Sequence, residues 1–150
     1  TRPNFGRAQL NLNATFLHPN VSYTMIAQMI NKMEVDCILQ YNQSNAEFCH
    51  KIINQGCNIE LLHDASGGNG NLPKAWYRTP FSNIFSGYAG GLNPENIKQE
   101  LEKIALAAGD NEIWIDTETG VRTNDVLDME KVRSFLTQCK PYLKSAENEN

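Results

Sequence analysis

The sequence lacks the features of a membrane or secreted protein. No apolar run approaches the roughly 20 residues that a membrane-spanning helix needs. The N-terminus has no basic segment followed by an apolar one, which is the pattern of a secretory signal. We therefore expect a cytoplasmic protein that does not contact a membrane.

The sequence also lacks metal-binding motifs and an excess of positive charge. Its four cysteines are far apart, with no C-x-x-C pair and no Cys/His cluster at zinc spacing. They are Cys37, Cys49, Cys57 and Cys139. We expect reduced, mostly buried thiols and no bound metal. The net charge of −4 argues against nucleic acid as the main partner, although a local basic patch could still hold one phosphate.

No second domain, low-complexity tract or short solenoid repeat is present. A chain of 150 residues that is 41% hydrophobic and 20% charged can bury one core. We predict a single domain over residues 1–150, with a polar, disordered tail over residues 145–150. Oligomer formation is possible.

What is present is a repeated alternation of short apolar runs with longer segments of helical periodicity. This alternation is typical of βα units and a parallel sheet. The starts of the five predicted strands are 28, 23, 24 and 29 residues apart, which suits successive neighbours in a barrel. The predicted strands are Ala8 to Ala14, Asp36 to Asn42, Ile59 to Asp64, Asn83 to Ala89 and Glu112 to Thr117. We predict an α/β fold made of the C-terminal five βα units of a (β/α)8 TIM barrel; the alternative is an open five-stranded flavodoxin-like sheet.

The helices between these strands have recognisable ends and faces. The fourth is predicted to begin with Asn93 as N-cap and Pro94 at its first position, and to stop near Gly109. The first carries a methionine-rich stripe that we expect to pack in the core. This stripe comprises Met25, Ile26, Met29, Ile30 and Met33. No clear helix is predicted over residues 67–80.

The chain begins at Thr1, without an initiating methionine. Five units cannot close a barrel of this type, and an open sheet would expose an edge and a polar-faced interior. We therefore expect three further units, about 60 to 80 residues, before Thr1 in the gene product.

Polar side chains occupy alternate positions near the ends of the predicted strands. In a parallel barrel the loops after these ends form the active site, so the polar residues are candidate substrate ligands. They are Asn11, Asn13, Gln40, Asn42, Asp64 and Asp116. The amides among them either bind substrate hydroxyls or are satisfied structural groups. His63 should point away from its neighbour Asp64, and we expect it to have a packing role.

Three glycine-containing turns follow the last three strands. The first contains Gly67 and Gly68, the second Gly90 and Gly91, and the third Thr119 and Gly120. Glycine-rich turns can bring several backbone N–H groups close to an anion, and a barrel usually binds phosphate between its last two units. The second turn leads into a helix, whose first N–H groups and positive dipole end should face the same mouth. We therefore predict a phosphate site formed by the second and third turns, and we expect Gly67 and Gly68 of the first turn to bind substrate.

The order of these motifs resembles phosphoribosylanthranilate isomerase. The resemblance covers about Gln9 to Leu143 and is strongest in the segment Ala89-Gly90-Gly91-Leu92-Asn93-Pro94-Glu95-Asn96. It also rests on Leu61 to Asp64, on Ile115-Asp116 and on Thr119-Gly120-Val121. That family is an eight-unit barrel of tryptophan biosynthesis, which performs an Amadori rearrangement of an aminoribose phosphate without a cofactor.

The resemblance implies roles for individual residues. Asp64 matches the general acid, and Gly90, Gly91, Thr119 and Gly120 match the backbone phosphate site. The family's base is a cysteine at the end of its first strand, and none of the four cysteines here stands in that place. Arg122, another candidate substrate ligand, stands where the family tends to have a glutamate. Glu118 would repel a phosphate unless it points away or pairs with Arg122.

The resemblance leads to two functional hypotheses. One is an isomerase acting on a phosphorylated sugar, and the other is a barrel that binds a phosphorylated ligand without turnover or serves as an assembly partner.

Overall fold

A parallel five-stranded sheet forms the centre of the protein. The computed structural model describes residues 6–10, 22–64 and 70–143. The strands are β1 (Arg7–Leu10), β2 (Asp36–Tyr41), β3 (Ile59–Asp64), β4 (Ser86–Ala89) and β5 (Ile113–Ile115). Every strand pair is parallel, which confirms the predicted α/β class.

The strands follow one another across the sheet in the order β1-β2-β3-β4-β5. This is the order expected of neighbours in a barrel. A flavodoxin-like sheet instead has the order 2-1-3-4-5. Within the described residues β1 pairs only with β2, and β5 only with β4, so the sheet is open.

Four α-helices accompany the sheet. They are α1 (Tyr23–Asn31), α2 (Ala46–Ile53), α3 (Ile97–Ala108) and α4 (Met129–Cys139). A 3₁₀ turn (Thr119–Val121) and a small antiparallel ribbon of β6 (Arg122–Thr123) and β7 (Val126–Leu127) precede α4, and a second 3₁₀ turn (Lys140–Tyr142) follows it. No helix forms over residues 70–85, in agreement with the prediction for the third unit. Among the described residues, no helix has the length and apolar character needed to cross a membrane.

All four helices contribute to cores on one face of the sheet, which we call the helix-covered face. Leu39 and Leu61 pack there against α1 and α2, while Tyr88 packs against α3 and α4. The opposite face, which we call the open face, carries a smaller cluster. This cluster comprises Ile38, Leu62, Ala89 and the partly buried Trp114. The described residues place no helix over the open face.

A charged pair and an aromatic ring also lie on the open face. Arg7 forms an ion pair with Glu60, and the guanidinium carbon of Arg7 stands 4.4 Å from the Trp114 ring centroid. Trp114 in turn lies against Gly87, where a β-carbon would come within 2.3 Å of the indole ring. These contacts link strands from both edges of the sheet.

The prediction for the methionine-rich stripe of α1 was wrong for its methionines, whereas Ile26 and Ile30 of the same stripe pack in the core as predicted. Met25 and Met29 are 62% and 68% exposed, whereas the buried residues of α1 are Ala27 and Ile30. Helix α1 turns its small and branched side chains toward the sheet.

Helix α3 begins at Ile97, three residues later than predicted, with Asn96 as its N-cap residue. Asn93 instead organises a separate turn, because its Oδ1 accepts hydrogen bonds from the backbone N–H groups of Glu95 and Asn96 at 3.0 and 3.1 Å. The helix ends as predicted at Gly109, whose φ is 63°.

Candidate active site

Asp64 is a buried carboxylate at the carboxyl end of β3. It is 5% exposed, and it shares the open face with Leu62, two residues earlier. The side-chain amide Nε2 of Gln40 donates a hydrogen bond to Asp64 Oδ2 at 2.8 Å. The structure therefore joins the candidate acid directly to one of the amides predicted to bind substrate.

The Gly90-Gly91 turn stands beside Asp64. Both glycines have positive φ, at 119° and 64°. A β-carbon on Gly90 would lie 3.5 Å from Asp64 Oδ1, and one on Gly91 would lie 2.4 Å from the backbone nitrogen of Leu72. Both the backbone conformation and the close approach of the segment around Leu72 therefore require glycine at these two positions.

The Thr119-Gly120 turn packs against the same region. A β-carbon on Gly120 would lie 1.9 Å from the carbonyl oxygen of Leu92, and Thr117 Oγ1 donates a hydrogen bond to that oxygen at 2.6 Å. A β-carbon on Gly70 would lie 2.9 Å from Thr119 Oγ1. Three turns, at 70–72, 90–92 and 119–120, thus converge, and we call them the turn cluster.

Backbone donors remain available in the turn cluster. In the part of the chain that the structure describes, the N–H groups of Gly91, Thr119 and Gly120 donate no hydrogen bond. Unused backbone N–H groups in adjacent turns are a common means of holding an anion. The turns predicted to bind phosphate are therefore adjacent to one another.

The turn before α3 uses several backbone N–H groups in its own hydrogen bonds. Asn93 Oδ1 accepts hydrogen bonds from the N–H groups of Glu95 and Asn96. The Asn93 carbonyl oxygen accepts a hydrogen bond from the Ile97 N–H at 2.9 Å. Asn96 Oδ1 accepts from the Asn93 N–H at 2.9 Å. The two asparagine side chains thus bond the turn that precedes α3, and within α3 the Ile97 N–H is bonded to the Asn93 carbonyl oxygen.

A group of carboxylates borders the turn cluster. Partial desolvation, together with the nearby charges of Glu118 and Asp64, raises the pKa of Asp116. The backbone N–H of Asp116 donates to the Tyr88 carbonyl oxygen at 3.0 Å, which continues the β4–β5 pairing. Glu118 Oε1 lies 3.2 Å from an Arg122 guanidinium nitrogen, so this arginine offsets the charge of Glu118.

The remaining predicted ligands either make hydrogen bonds within their own turns or lie outside the described residues. Asn42 organises the turn before α2, because its Oδ1 accepts from the Ser44 N–H, the Ser44 hydroxyl and the Asn45 N–H. Arg122, besides its pair with Glu118, donates to the Asp125 carbonyl oxygen at 3.1 Å. The other four lie outside the described residues, namely Asn11, Asn13, Gly67 and Gly68.

The cysteines lie away from Asp64. Cys37, Cys49 and Cys57 belong to the core of the helix-covered face, and burial raises the pKa of Cys49 to about 12 and that of Cys57 to about 11. Cys139 packs at the edge of the second core on the same face. All four thiols are free, and three are buried, as predicted. No three His, Cys, Asp or Glu side chains among the described residues are grouped so as to hold a metal ion.

Sequence patterns did not predict two contacts of the site. The segment at Asn71 and Leu72 packs on the Gly90-Gly91 turn, and Thr117 ties the Leu92 carbonyl oxygen to the following turn. The alternation of Thr117 with Thr119 was visible, but threonine alternation occurs in many strands. Only the folded backbone identifies the hydroxyl that reaches the neighbouring turn.

Comparisons with known proteins agree with the fold and the motifs. The sequence pattern of the family described as N-(5'phosphoribosyl)anthranilate (PRA) isomerase matches residues 7–138. The fold is similar to the crystal structure of phosphoribosyl anthranilate isomerase from Thermotoga maritima, with a TM-score of 0.52 and 15% sequence identity. That match covers 91% of this chain and 62% of the Thermotoga chain, so this chain spans less than two thirds of that relative. Because the family match extends over most of its length, the chain belongs to the phosphoribosylanthranilate isomerase family.

Proposed function

We propose that the five strands correspond to the last five strands of a (β/α)8 barrel, and that the open face is the barrel interior. The sequential strand order, the placement of all four helices on one face and the similarity to the Thermotoga enzyme support this correspondence. In such a barrel Asp64 and the turn cluster lie at the carboxyl-end mouth, where TIM-barrel active sites are found.

The function that this geometry supports best is an isomerase acting on a phosphorylated sugar, namely the Amadori rearrangement of phosphoribosylanthranilate in tryptophan biosynthesis. One observation carries the proposal. The buried carboxyl group of Asp64 stands beside the Gly90-Gly91 turn, so in its protonated form it is a general acid next to the proposed backbone phosphate site. A ligand anchored there by its phosphate would place its sugar within reach of the acid.

In this mechanism Asp64 gives a proton to the furanose ring oxygen as the bond between that oxygen and C1 breaks. A base then removes the proton from C2, and the enolamine that results tautomerises to the ketone. The reaction is an internal redistribution of electrons, so it needs no cofactor. Gln40 holds Asp64 in place, and the base comes from outside the described residues, because their cysteines lie on the helix-covered face.

The charges beside the turn cluster agree with this proposal only if Glu118 is neutralised. An unpaired carboxylate close to a phosphate dianion would weaken its binding. The pair between Arg122 and Glu118, which is exposed to solvent, offsets part of that repulsion. In this proposal Asp116 accepts a hydrogen bond from a sugar hydroxyl.

The test is turnover of phosphoribosylanthranilate by the protein as its gene encodes it. We expect Asp64→Asn to lose at least about 100-fold in kcat, since general acid catalysis contributes about 10²–10⁴-fold. Asp110→Asn, at an exposed aspartate in the turn after α3, is the matched control and should keep full activity. Equal activity in the two variants would show that Asp64 is not the acid.

A protein that binds a phosphorylated ligand without turnover is the second candidate. The placement of all four cysteines on the helix-covered face favours it, because none of them can serve as the family's base. Saturable binding of a non-reactive substrate analogue, without turnover by the wild-type protein, would select this candidate. Absence of both binding and turnover would contradict both candidates.

A further inference from the structure

Glu100 is a buried carboxylate on α3 that the proposed reaction does not use. It is 6% exposed, and it lies on the same side of the helix as the buried core residues Ile97, Leu101 and Ile104. Burying a carboxylate costs free energy unless the charge is paired and hydrogen-bonded. The reason for a glutamate at this position must therefore lie in its contacts.

Each carboxylate oxygen of Glu100 has its own donor. Trp76 Nε1 donates to Glu100 Oε2 at 2.8 Å, and Lys103 Nζ donates to Glu100 Oε1 at 2.7 Å. Burial raises the pKa of Glu100, but the bonds from Lys103 and Trp76 and the charge of Lys103 together hold this pKa below its usual value. Glu100 is therefore ionised at neutral pH, and its bond to Trp76 is charge-assisted, which is the stronger kind of hydrogen bond.

Trp76 belongs to residues 70–78, which we call the strap. The strap contains no helix or strand, and most of its side chains are exposed. Trp76 is partly buried against the core beside α3 and α4, and its ring lies edge-on to that of Tyr88 with centroids 5.9 Å apart. The Tyr88 hydroxyl also donates to the Tyr77 carbonyl oxygen at 3.1 Å. The C-terminal part of the strap is thus held to α3 and β4.

The N-terminal part of the strap forms one turn of the turn cluster. A β-carbon on Gly91 would lie 2.4 Å from the Leu72 backbone nitrogen, and one on Gly90 would lie 2.9 Å from the Asn71 carbonyl oxygen. Three residues separate Leu72 from Trp76, and even a fully extended chain spans at most about 14 Å between these two positions. The position of Trp76 therefore restricts where the strap can meet the Gly90-Gly91 turn.

Helix α3 holds both partners of this contact. The side-chain amide of Asn96, at the start of α3, donates to the Gly91 carbonyl oxygen at 2.9 Å. Glu100 follows four residues later, so the two side chains lie on the same side of the helix. One side of α3 therefore binds the Gly90-Gly91 turn through Asn96 and the strap through Glu100.

We propose that Glu100 is a positioning residue for the phosphate site. By holding Trp76, it keeps the strap against the Gly90-Gly91 turn, so that the unused N–H groups of the turn cluster point to one place. Glu100 itself touches no ligand in this arrangement, and it sets the affinity for phosphate through the strap. This role rests on the proposed function, since it presupposes the phosphate site in the turn cluster.

The test compares Glu100→Leu with Glu100→Gln in the protein as its gene encodes it. Leucine keeps a side chain of similar size on the core side of α3 but removes the acceptor, whereas glutamine keeps an acceptor oxygen for Trp76. Inorganic phosphate is titrated while the amide NMR signals of Gly91 and Gly120 are followed. We expect Glu100→Leu to weaken phosphate binding at least about fivefold, since coupling between sites typically changes affinity by about 5–150-fold. Glu100→Gln should stay within about twofold of the wild type.

A second variant breaks the same hydrogen bond from the strap. Trp76→Phe removes the donor and keeps an aromatic ring, and it carries the test even if Glu100→Leu does not fold. It should weaken phosphate binding as much as Glu100→Leu does, and the double variant should show no further loss, because both changes break one interaction. Glu102→Leu, at an exposed glutamate of the same helix, is the matched control and should bind phosphate like the wild type.

Two further readouts separate positioning from a general loss of stability. The indole N–H of Trp76 should exchange with solvent faster in Glu100→Leu than in the wild type or in Glu100→Gln. In turnover of phosphoribosylanthranilate, Glu100→Leu should raise KM and keep kcat within about twofold of the wild type, because Gln40 on β2, not the strap, holds Asp64.

Unchanged phosphate affinity in Glu100→Leu and Trp76→Phe would overturn the proposal, and so would an equal loss in Glu102→Leu. Additive losses in the double variant would show that Glu100 does not act through Trp76. If the wild type itself binds no phosphate, the proposed phosphate site is wrong, and this role of Glu100 with it. Wild-type binding that the Glu100 and Trp76 variants retain in full removes the positioning role alone.

Discussion

Gly120 lies directly against the carbonyl group of Leu92. A β-carbon at position 120 would stand 1.9 Å from the carbonyl oxygen and 2.9 Å from the carbonyl carbon. Both are backbone atoms, and Thr117 holds the same oxygen through a 2.6 Å hydrogen bond. The absence of a side chain at Gly120 is therefore what allows the last two turns of the proposed phosphate site to meet.

We predict that Gly120→Ala separates these two turns. A methyl group cannot occupy this space without moving the backbone, and overpacking of this kind typically costs about 1–3 kcal/mol. Chemical denaturation should show that loss, and phosphate or substrate-analogue binding should fall at the same time. Gly6→Ala is the control, because a β-carbon there has no neighbour within 4 Å. A Gly120→Ala protein with unchanged stability and anion binding would show that the two turns need not touch.

A second prediction concerns the amide that holds the candidate acid. Gln40→Leu removes the donor that bonds Asp64 Oδ2 at 2.8 Å, while it keeps a side chain of similar size. Leaving a buried carboxylate with one fewer donor should reduce the free energy of unfolding by about 1–3 kcal/mol. If the isomerase proposal holds, kcat should also fall, because Asp64 is less firmly positioned.

The control for this second prediction is Gln99→Leu, at an exposed glutamine on α3. It should leave both stability and turnover close to those of the wild type. A Gln40→Leu protein that behaves like the Gln99→Leu protein would show that Asp64 does not depend on Gln40.

A third prediction concerns stability at acid pH. Burial lowers the pKa of His63 from 6.5 to about 4, so the unfolded chain binds a proton more readily than the folded one between these values. The free energy of unfolding should therefore fall as the pH is lowered from 6.5 toward 4, and it should rise again when the pH is restored. Between pH 7 and pH 5 the contribution of this one group is about 2 kcal/mol.

Urea denaturation at the two pH values measures this effect. His63→Phe keeps an aromatic ring beside Tyr88 but cannot be protonated. Between pH 7 and pH 5, the free energy of unfolding of this variant should fall by about 2 kcal/mol less than that of the wild type. His50→Phe changes another ring of the same aromatic cluster and should retain the full decrease, because His63 is still present. An equal pH dependence in the wild type and the His63→Phe variant would contradict a buried, neutral His63.

Most strands and helices of the fold could be predicted from local sequence patterns. Strand β3 has the predicted bounds, and the other strands lie close to their predicted ranges, because short apolar runs followed by helical periodicity specify βα units. Gly109 ends α3 as expected, since a positive φ favours glycine. The start of α3 was harder to predict, because Asn93 and Asn96 are both good capping residues and only the folded turn shows which hydrogen bonds form.

The candidate site was predictable only in part. Asp64, Gly90 and Gly120 could be identified from their motifs, since each stands at the end of a predicted strand or in a turn after it. The contact of Gly91 with Leu72 and the hydrogen bond of Gln40 to Asp64 join segments 19 and 24 residues apart in the chain. No local pattern specifies contacts over such separations.

The sequence by itself determined the class of this protein, the order of its elements and its family motifs, because these depend on side-chain periodicity and on the backbone preferences of glycine and asparagine. The tertiary structure decided which face of each element is buried, as the exposed Met25 and Met29 show. It also decided that the described helices all cover one face, that the turn cluster forms, and that the strap is bonded to α3 where the third unit has no helix. These features depend on packing between distant segments, where steric fit and the pairing of buried polar groups select one arrangement.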